Sequence, residues 1–413
     1  MKFSLKSVLL GTVASAFMSV SAFAGDLIIN FDDLNPGPKK AFEEAVEDFK
    51  KANPDINVTV NNTDREAHKT AIRNFLTNDA PDITSWYPGN RMAPFVDAGL
   101  FEDITDLWES DPNLKDKFAA IKPTMTRDGK QWGVPYTFYQ WGIYYRKDIF
   151  DKLGIAEPQT WDELIAAAEL LKENGVTPFT IGTKFLWTAA GVFDYINLRT
   201  NGYEVHNDLT AGKIKYTDPR IRQTMENWKQ LIDMGAFVPN HATMSWQDAI
   251  APFANGDAAM YVMGNFSVDG YKTAGIDLAN VDFFPFPEIT PGVPRAEEAP
   301  ADAFFIPANA KNKEDARKFL AFVAQPETLA KWNATIGQLP PNSDSEINQD
   351  DKFIVQGFDT VSNAAGLAQF YDRDAPAAMA KAGMEGFQQF MLDTSKMDEI
   401  LERLDVVQGE VYK

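Results

Sequence analysis

Apolar and polar positions along the chain change period repeatedly, and the changes mark out elements. Asp26–Phe31 has the length of a buried strand around Leu27-Ile28-Ile29, and Lys39–Ala52 carries Phe42, Val46 and Phe49 on one helical face before Pro54. Strands are predicted at Ile56–Val60 and Ile83–Trp86, with amphipathic helices at Ala67–Leu76 and Met92–Ala98, the last closed by Gly99. Strand and helix alternate throughout this half, which predicts a parallel α/β sheet.

The alternation resumes further on. Gly133–Tyr136 and Trp141–Arg146 read as strands, with Pro135 marking where the chain leaves one unit for another. Thr160 and Glu163 form a capping box that starts a helix running to about Asn174 and stopped by Gly175. A strand at Phe179–Gly182 follows, then helices at Pro219–Met234 and Trp246–Ala254 and a strand at Ala259–Met263. Val281–Phe286 and Ala303–Ile306 read as extended on either side of a Pro-rich loop, and from Asn312 the pattern is nearly all helical, broken at Gly337 to Pro341 and near Asp372. The sequence contains no internal repeat and no low-complexity tract.

At 413 residues the chain exceeds the roughly 250–300 at which a single core stops growing, so two domains are expected. The N-terminus carries Lys2 and Lys6, an apolar run from Val8 to Val20 and Ala22-Phe23-Ala24, the layout of a secretory signal peptide cleaved after Ala24. The run is shorter than the roughly 20 residues a spanning helix needs. Cysteine is absent, which removes disulfides, thiolate metal sites and lipid attachment at a Cys, and favours a freely diffusing periplasmic protein. The formal net charge of −20 argues against nucleic acid and anionic membrane as partners. His68, His206 and His241 lack metal-ligand spacing, and no catalytic Gly-x-Ser-x-Gly motif or phosphate loop occurs, so neither a cofactor nor a metal is expected.

Several ordered segments carry a resemblance. Pro54-Asp55-Ile56-Asn57-Val58, Ala80 to Trp86, Ala93 to Leu100, Gly133-Val134-Pro135-Tyr136, Tyr144 to Phe150, Pro158 to Leu164 and Phe253 to Met260 follow one another as in the extracellular solute-binding proteins of ABC importers. The chain resembles their carbohydrate-receptor group, the maltose-binding protein family. That resemblance implies a two-lobed α/β fold of the type II periplasmic binding class with a ligand cleft between lobes. It places residues 25–136 with 287–337 in an N-terminal lobe and 137–286 with 338–413 in a C-terminal lobe. It also implies a monomeric receptor, not an enzyme, that closes on a sugar, sugar glycoside or polyol and hands it to a membrane permease.

Sugars present hydroxyl rims and apolar C–H faces, so their sites combine aromatic platforms with bidentate polar groups. By resemblance Trp86 occupies a stacking position, with Asn90 and Arg91 in the loop that follows, and Trp187 a second one in the loop after Phe179–Gly182, beside Thr183 and Lys184. Tyr139, Gln140 and Trp141 follow the first crossing, Tyr139 standing where the family has a carboxylate. Gly264, Asn265 and Phe266 form a site loop in which Phe266 replaces the usual Trp. Asp32 and Asp33 match a carboxylate position, and Asp302 is a further candidate. Arg373 offers a planar fork of donors for vicinal hydroxyls or a carboxylate, and with Lys184 it leaves room for an anionic sugar. Two rival readings remain: the same fold binding a polyamine or another polar small molecule, and a secreted glycoside hydrolase with paired carboxylates.

Overall fold

The computed structural model describes residues 26–412. The expected signal peptide lies outside them. Two sheets organise the chain, each over its own hydrophobic core. The first contains β1 (Asp26–Phe31), β2 (Asn57–Asn62), β3 (Ile83–Trp86), β4 (Gly133–Phe138) and, from far along the chain, β9 (Ala301–Phe305), in the order β2-β1-β3-β9-β4. The second is β8-β5-β7-β6, built from β5 (Trp141–Arg146), β6 (Thr177–Phe179), β7 (Ala258–Gly264) and β8 (Val281–Phe284).

The parallel sheet expected of the first half is only partly parallel, and the second sheet is mixed as well. β1 pairs in parallel with β2 and β3, but β9 runs antiparallel between β3 and β4, and in the second sheet only β6 and β7 are parallel. Direction is set by long-range return of the chain, which local periodicity does not encode. The strand expected over Phe179–Gly182 is Thr177–Phe179 instead, and the helix expected from Trp246 starts at Ile250, leaving Trp246 in a turn.

Helices cover both sheets. The first sheet carries α1 (Pro36–Ala52) and α2 (Arg65–Asn78), whose buried residues fall on one face. On the second, α3 (Trp161–Glu173) begins with the expected capping box: the Thr160 side chain accepts from the Glu163 N–H at 3.3 Å while Glu163 Oε2 accepts from the Thr160 N–H at 3.3 Å. Thr160→Ala is expected to cost about 1 kcal/mol, read as a lowered urea midpoint at unchanged m. Behind it α4 (Trp187–Asn201) has thirteen buried residues out of fifteen. It is the central helix of its lobe, followed by α5 (Pro219–Asp233) and, near the chain end, α6 (Tyr371–Asp374) and α7 (Ala377–Leu392). No described helix is long and apolar enough to cross a membrane.

The chain passes from one core to the other where β4 gives way to β5, and Phe138 also bridges to Leu339. This crossing places the C-terminal ends of β1 and β3, the start of β5 and the segment after β7 around a single opening.

Candidate functional site

The opening is a cleft of about 720 Å³ between the two cores, within the roughly 300–1,000 Å³ typical of small-molecule sites. One wall is polar. Asp64 caps α2, its Oδ1 accepting from the Glu66 and Ala67 N–H groups at 3.0 and 3.1 Å, and this fixes the first turn so that Arg65 and Lys69, one turn apart, both line the cleft. The Arg65 guanidinium lies 3.0 Å from Asp33, 3.4 Å from Asp302 and 3.7 Å from Asp32. Arg373, on α6, approaches from the other lobe, donating to Asp302 at 3.1 Å and to the Ala301 carbonyl at 3.2 Å, with its guanidinium 4.2 Å from the Tyr87 ring centre. Lys69 pairs with Glu66 at 3.1 Å and with Asp372 of α6 at 3.4 Å.

These pairings decide the charge states. Burial alone would push the Asp32 carboxyl up, but Arg65, then His68, Ser85 and Arg373, hold it below the usual carboxylate range. For Asp33 burial prevails over Arg65 and the carboxyl is raised. Asp372 is held low against burial by Lys69, Arg373 and Arg91. Burial opposes the charge on Arg373 as well, yet Tyr139, Asp302, Tyr87 and Asp372 keep it firmly protonated.

The facing wall is aromatic. Trp141 sits 6.0 Å from Trp187, 6.0 Å from Phe266 and 4.9 Å from Phe370, while Phe266 is met edge-on by Tyr139 at 5.3 Å and Trp246 at 5.2 Å. Two glycines permit this packing. A Cβ on Gly264 would stand 2.5 Å from the Phe266 ring and 2.9 Å from Trp141 Nε1, and one on Gly191 would stand 2.9 Å from both Phe370 and Trp141. On the cleft lining, Tyr87 Oη, Tyr136 Oη and Trp141 Nε1 are buried without a hydrogen-bond partner in the protein. Such groups are costly unless something satisfies them.

Of the expected residues, Asp33, Tyr139, Trp141, Trp187, Phe266, Asp302 and Arg373 line the cleft. The others do not. Trp86 is packed in the first core against His68, Tyr87 and Phe95, its Nε1 donating to the Arg91 carbonyl at 3.1 Å, and Tyr87 takes the cleft-facing place. Arg91 stacks on the Trp86 ring, and Asn90 donates to Asp374 at 3.1 Å, tying the loop to α6. Asp32 lies beneath Asp33, accepting from Ser85 Oγ at 2.6 Å. Gln140 donates to the Phe353 carbonyl at 3.2 Å and Asn265 to the Gly337 carbonyl at 2.7 Å, both fully enclosed braces at the crossing. Gly264 stands behind Phe266. Trp187 opens α4 instead of lying in a loop, Thr183 is bonded to His241 at 2.8 Å, and Lys184 is exposed over the ring of Phe185, which lines the cleft, without itself being on the lining. Arg373 lines the cleft and Lys184 stands outside the lining.

Arg65, Lys69, Tyr87, Tyr136, Trp246, Phe370 and Asp372 were not singled out from the sequence. The Asp64 cap followed by basic residues one turn apart was the available signal for the first two. Among the described residues no group of three or more His, Asp or Glu is arranged to hold a metal ion.

Residues 35–330 match the family model described as bacterial extracellular solute-binding protein. An uncharacterised ABC transporter extracellular-binding protein of Pyrococcus horikoshii is 30% identical over 75% of this chain and 70% of its own length. A multiple sugar-binding protein of Streptococcus mutans is 27% identical over 70% of this chain and 69% of its own. Among solved structures, a bacterial solute receptor, AcbH, described as having an exclusive preference for β-D-galactopyranose, superposes with a TM-score of 0.88 at 26% identity, covering 94% of this chain and all of its own. The raffinose complex of RafE shares the fold at a TM-score of 0.78 and 23% identity, covering 94% of this chain and 100% of its own.

Proposed function

Because the chain belongs to the bacterial extracellular solute-binding proteins, the receptor components of ABC transporters, we propose that its cleft captures a sugar or sugar derivative for the cognate membrane permease. The observation that carries the reading is the pairing of an aromatic wall with a wall of planar, charged hydrogen-bonding groups, to which the first lobe gives Asp33, Arg65 and Asp302 and the second gives Arg373. A sugar ring uses both at once, its C–H face on the indoles and its hydroxyls on the carboxylates and guanidinium groups. The sugar-binding names of two relatives, and the galactopyranose receptor with the same fold, support the class.

Contacts from both lobes make closure report occupancy, since a ligand shifts the equilibrium between open and closed only through its differential affinity. The family consists of receptors, not enzymes, so no turnover is expected of the carboxylates. We take residues 25–136 with 287–337 and 137–286 with 338–413 as the two lobes, residues 1–24 as the export signal, the periplasm as the compartment and the monomer as the working state.

A thermal-shift screen over mono- and oligosaccharides, polyols and polyamines tests the reading, because a ligand that binds only the native state raises its melting temperature. Neutral sugars are expected to give the largest shift, and a response confined to polyamines would overturn the assignment. Trp187→Ala is expected to weaken binding of the identified sugar about tenfold, by removing one stacking face, with little effect on the apo melting temperature. Isothermal titration reads the first and a melting curve the second.

A further inference from the structure

We infer that Asp302 sets the charge selectivity of the cleft, holding Arg65 and Arg373 neutralised so that uncharged sugars enter and the corresponding sugar acids do not. The inference rests on the sugar reading above. An anionic ligand needs a free cation, and guanidinium groups take carboxylates in a bidentate grip where one is available. Among the described residues that line the cleft, every cation is already paired. Asp302 receives Arg373 at 3.1 Å and Arg65 at 3.4 Å, one from each lobe, and Lys69 is engaged by Glu66 and Asp372. Carboxylates on the cleft lining outnumber cations two to one, so the field inside is negative as well.

The backbone places Asp302 for this. β9 pairs with β4 through Ala301 opposite Phe138 and Asp302 opposite Thr137, and the register then shifts between Asp302 and Ala303. The skipped residue is Tyr136 of β4, so β9 keeps its alternation, and Asp302 lies on the lining while Ala301 and Ala303 are in the first core. Its side chain is 9% exposed, and the carboxylate sits between two arginines contributed by separate lobes. Selectivity of this type comes from an occupied partner, the competing ligand being refused because its counter-charge is already taken.

The test uses matched pairs, D-glucose with D-glucuronate, D-galactose with D-galacturonate and D-xylose oligomers with and without a glucuronate branch, titrated calorimetrically into the full mature protein and into Asp302→Asn. In the unsubstituted protein the neutral member of the binding pair is expected to bind at least tenfold more tightly than its acid. In Asp302→Asn that ratio is expected to fall at least tenfold, through gained affinity for the acid. Asp33→Asn removes the nearest partner of Arg65 but leaves Asp302 and Asp32 beside it and Arg373 untouched, so it is expected to move the ratio in the same direction by less, and it serves if Asp302→Asn does not fold. Equal or tighter binding of the acid by the unsubstituted protein, or an unchanged ratio in a folded variant, overturns the inference while leaving the sugar reading in place. Absence of binding by every sugar removes the sugar reading and this inference with it.

Discussion

Replacing Arg199 with alanine is expected to destabilise the protein by about 3–5 kcal/mol, because it leaves the buried Glu297 carboxylate only the half-exposed Arg295, at 3.2 Å, as a charged partner. Arg199 stands in the last turn of α4, 4% exposed, and donates to the Phe286 carbonyl at 2.7 Å, to the Ala296 carbonyl, and to Glu297 Oε1 at 2.7 Å. Glu297 is fully buried, and burial already raises its carboxyl against the pull of Arg199 and Arg295. One side chain thus pins both ends of the Pro-rich connection to the central helix of the second lobe. Equilibrium unfolding in urea measures the loss, and Arg199→Ala combined with Glu297→Gln should cost clearly less than the sum of the two single changes. A loss under about 1 kcal/mol for the single variant would mean that the pair contributes little against its desolvation.

The second large effect is a pH dependence. Asp374 is pushed up to about 6 by burial, which outweighs hydrogen bonds from Thr210 and Asn90. An acid whose folded pKa exceeds its unfolded value of roughly 3.9 binds its proton more tightly when folded. Its contribution is therefore fully present below about pH 4 and is lost as the pH rises through 6. Asp374→Asn keeps the shape and removes the charge. The variant is expected to be more stable than the parent at pH 7.5 by about 2 kcal/mol, allowing for the partial exposure of the side chain, and to show no advantage at pH 4. Melting temperatures of both proteins at the two pH values decide it, and a gain that persists unchanged at pH 4 would exclude the titration of Asp374 as its cause.

How far the sequence foretold the molecule depended on whether a feature was local. The capping box at Thr160, the strands ending at Phe31 and Trp86, and the helix over Pro219–Asp233 were legible because period and cap chemistry coincide there. The helix beginning at Trp187 was missed since it is buried all round and therefore has no polar face to give it a period. Trp86 and Tyr87 show a one-residue ambiguity: successive side chains at a strand end point to opposite faces, so the larger ring was assigned to the cleft when its neighbour occupies it. Arg65 and Lys69 were hidden for a different reason. Their roles arise from Asp302 and Asp372, residues more than two hundred positions away, and no window of sequence brings those charges together.

The late arrival of β9 at the centre of the first sheet also bears on how an extracytoplasmic chain of this family crosses a membrane. Strands β1 to β4 are synthesised first, but β3 and β4 meet only through β9, which emerges on the order of ten seconds later at roughly 5–20 residues per second. Until then the first lobe has an open seam and cannot complete its core, and closing it afterwards requires a contact of very high sequence separation, which is slow. A precursor that stays loose for that interval remains threadable through a narrow translocation pore. Placing the keystone strand last postpones tight folding until most of the polypeptide has been made.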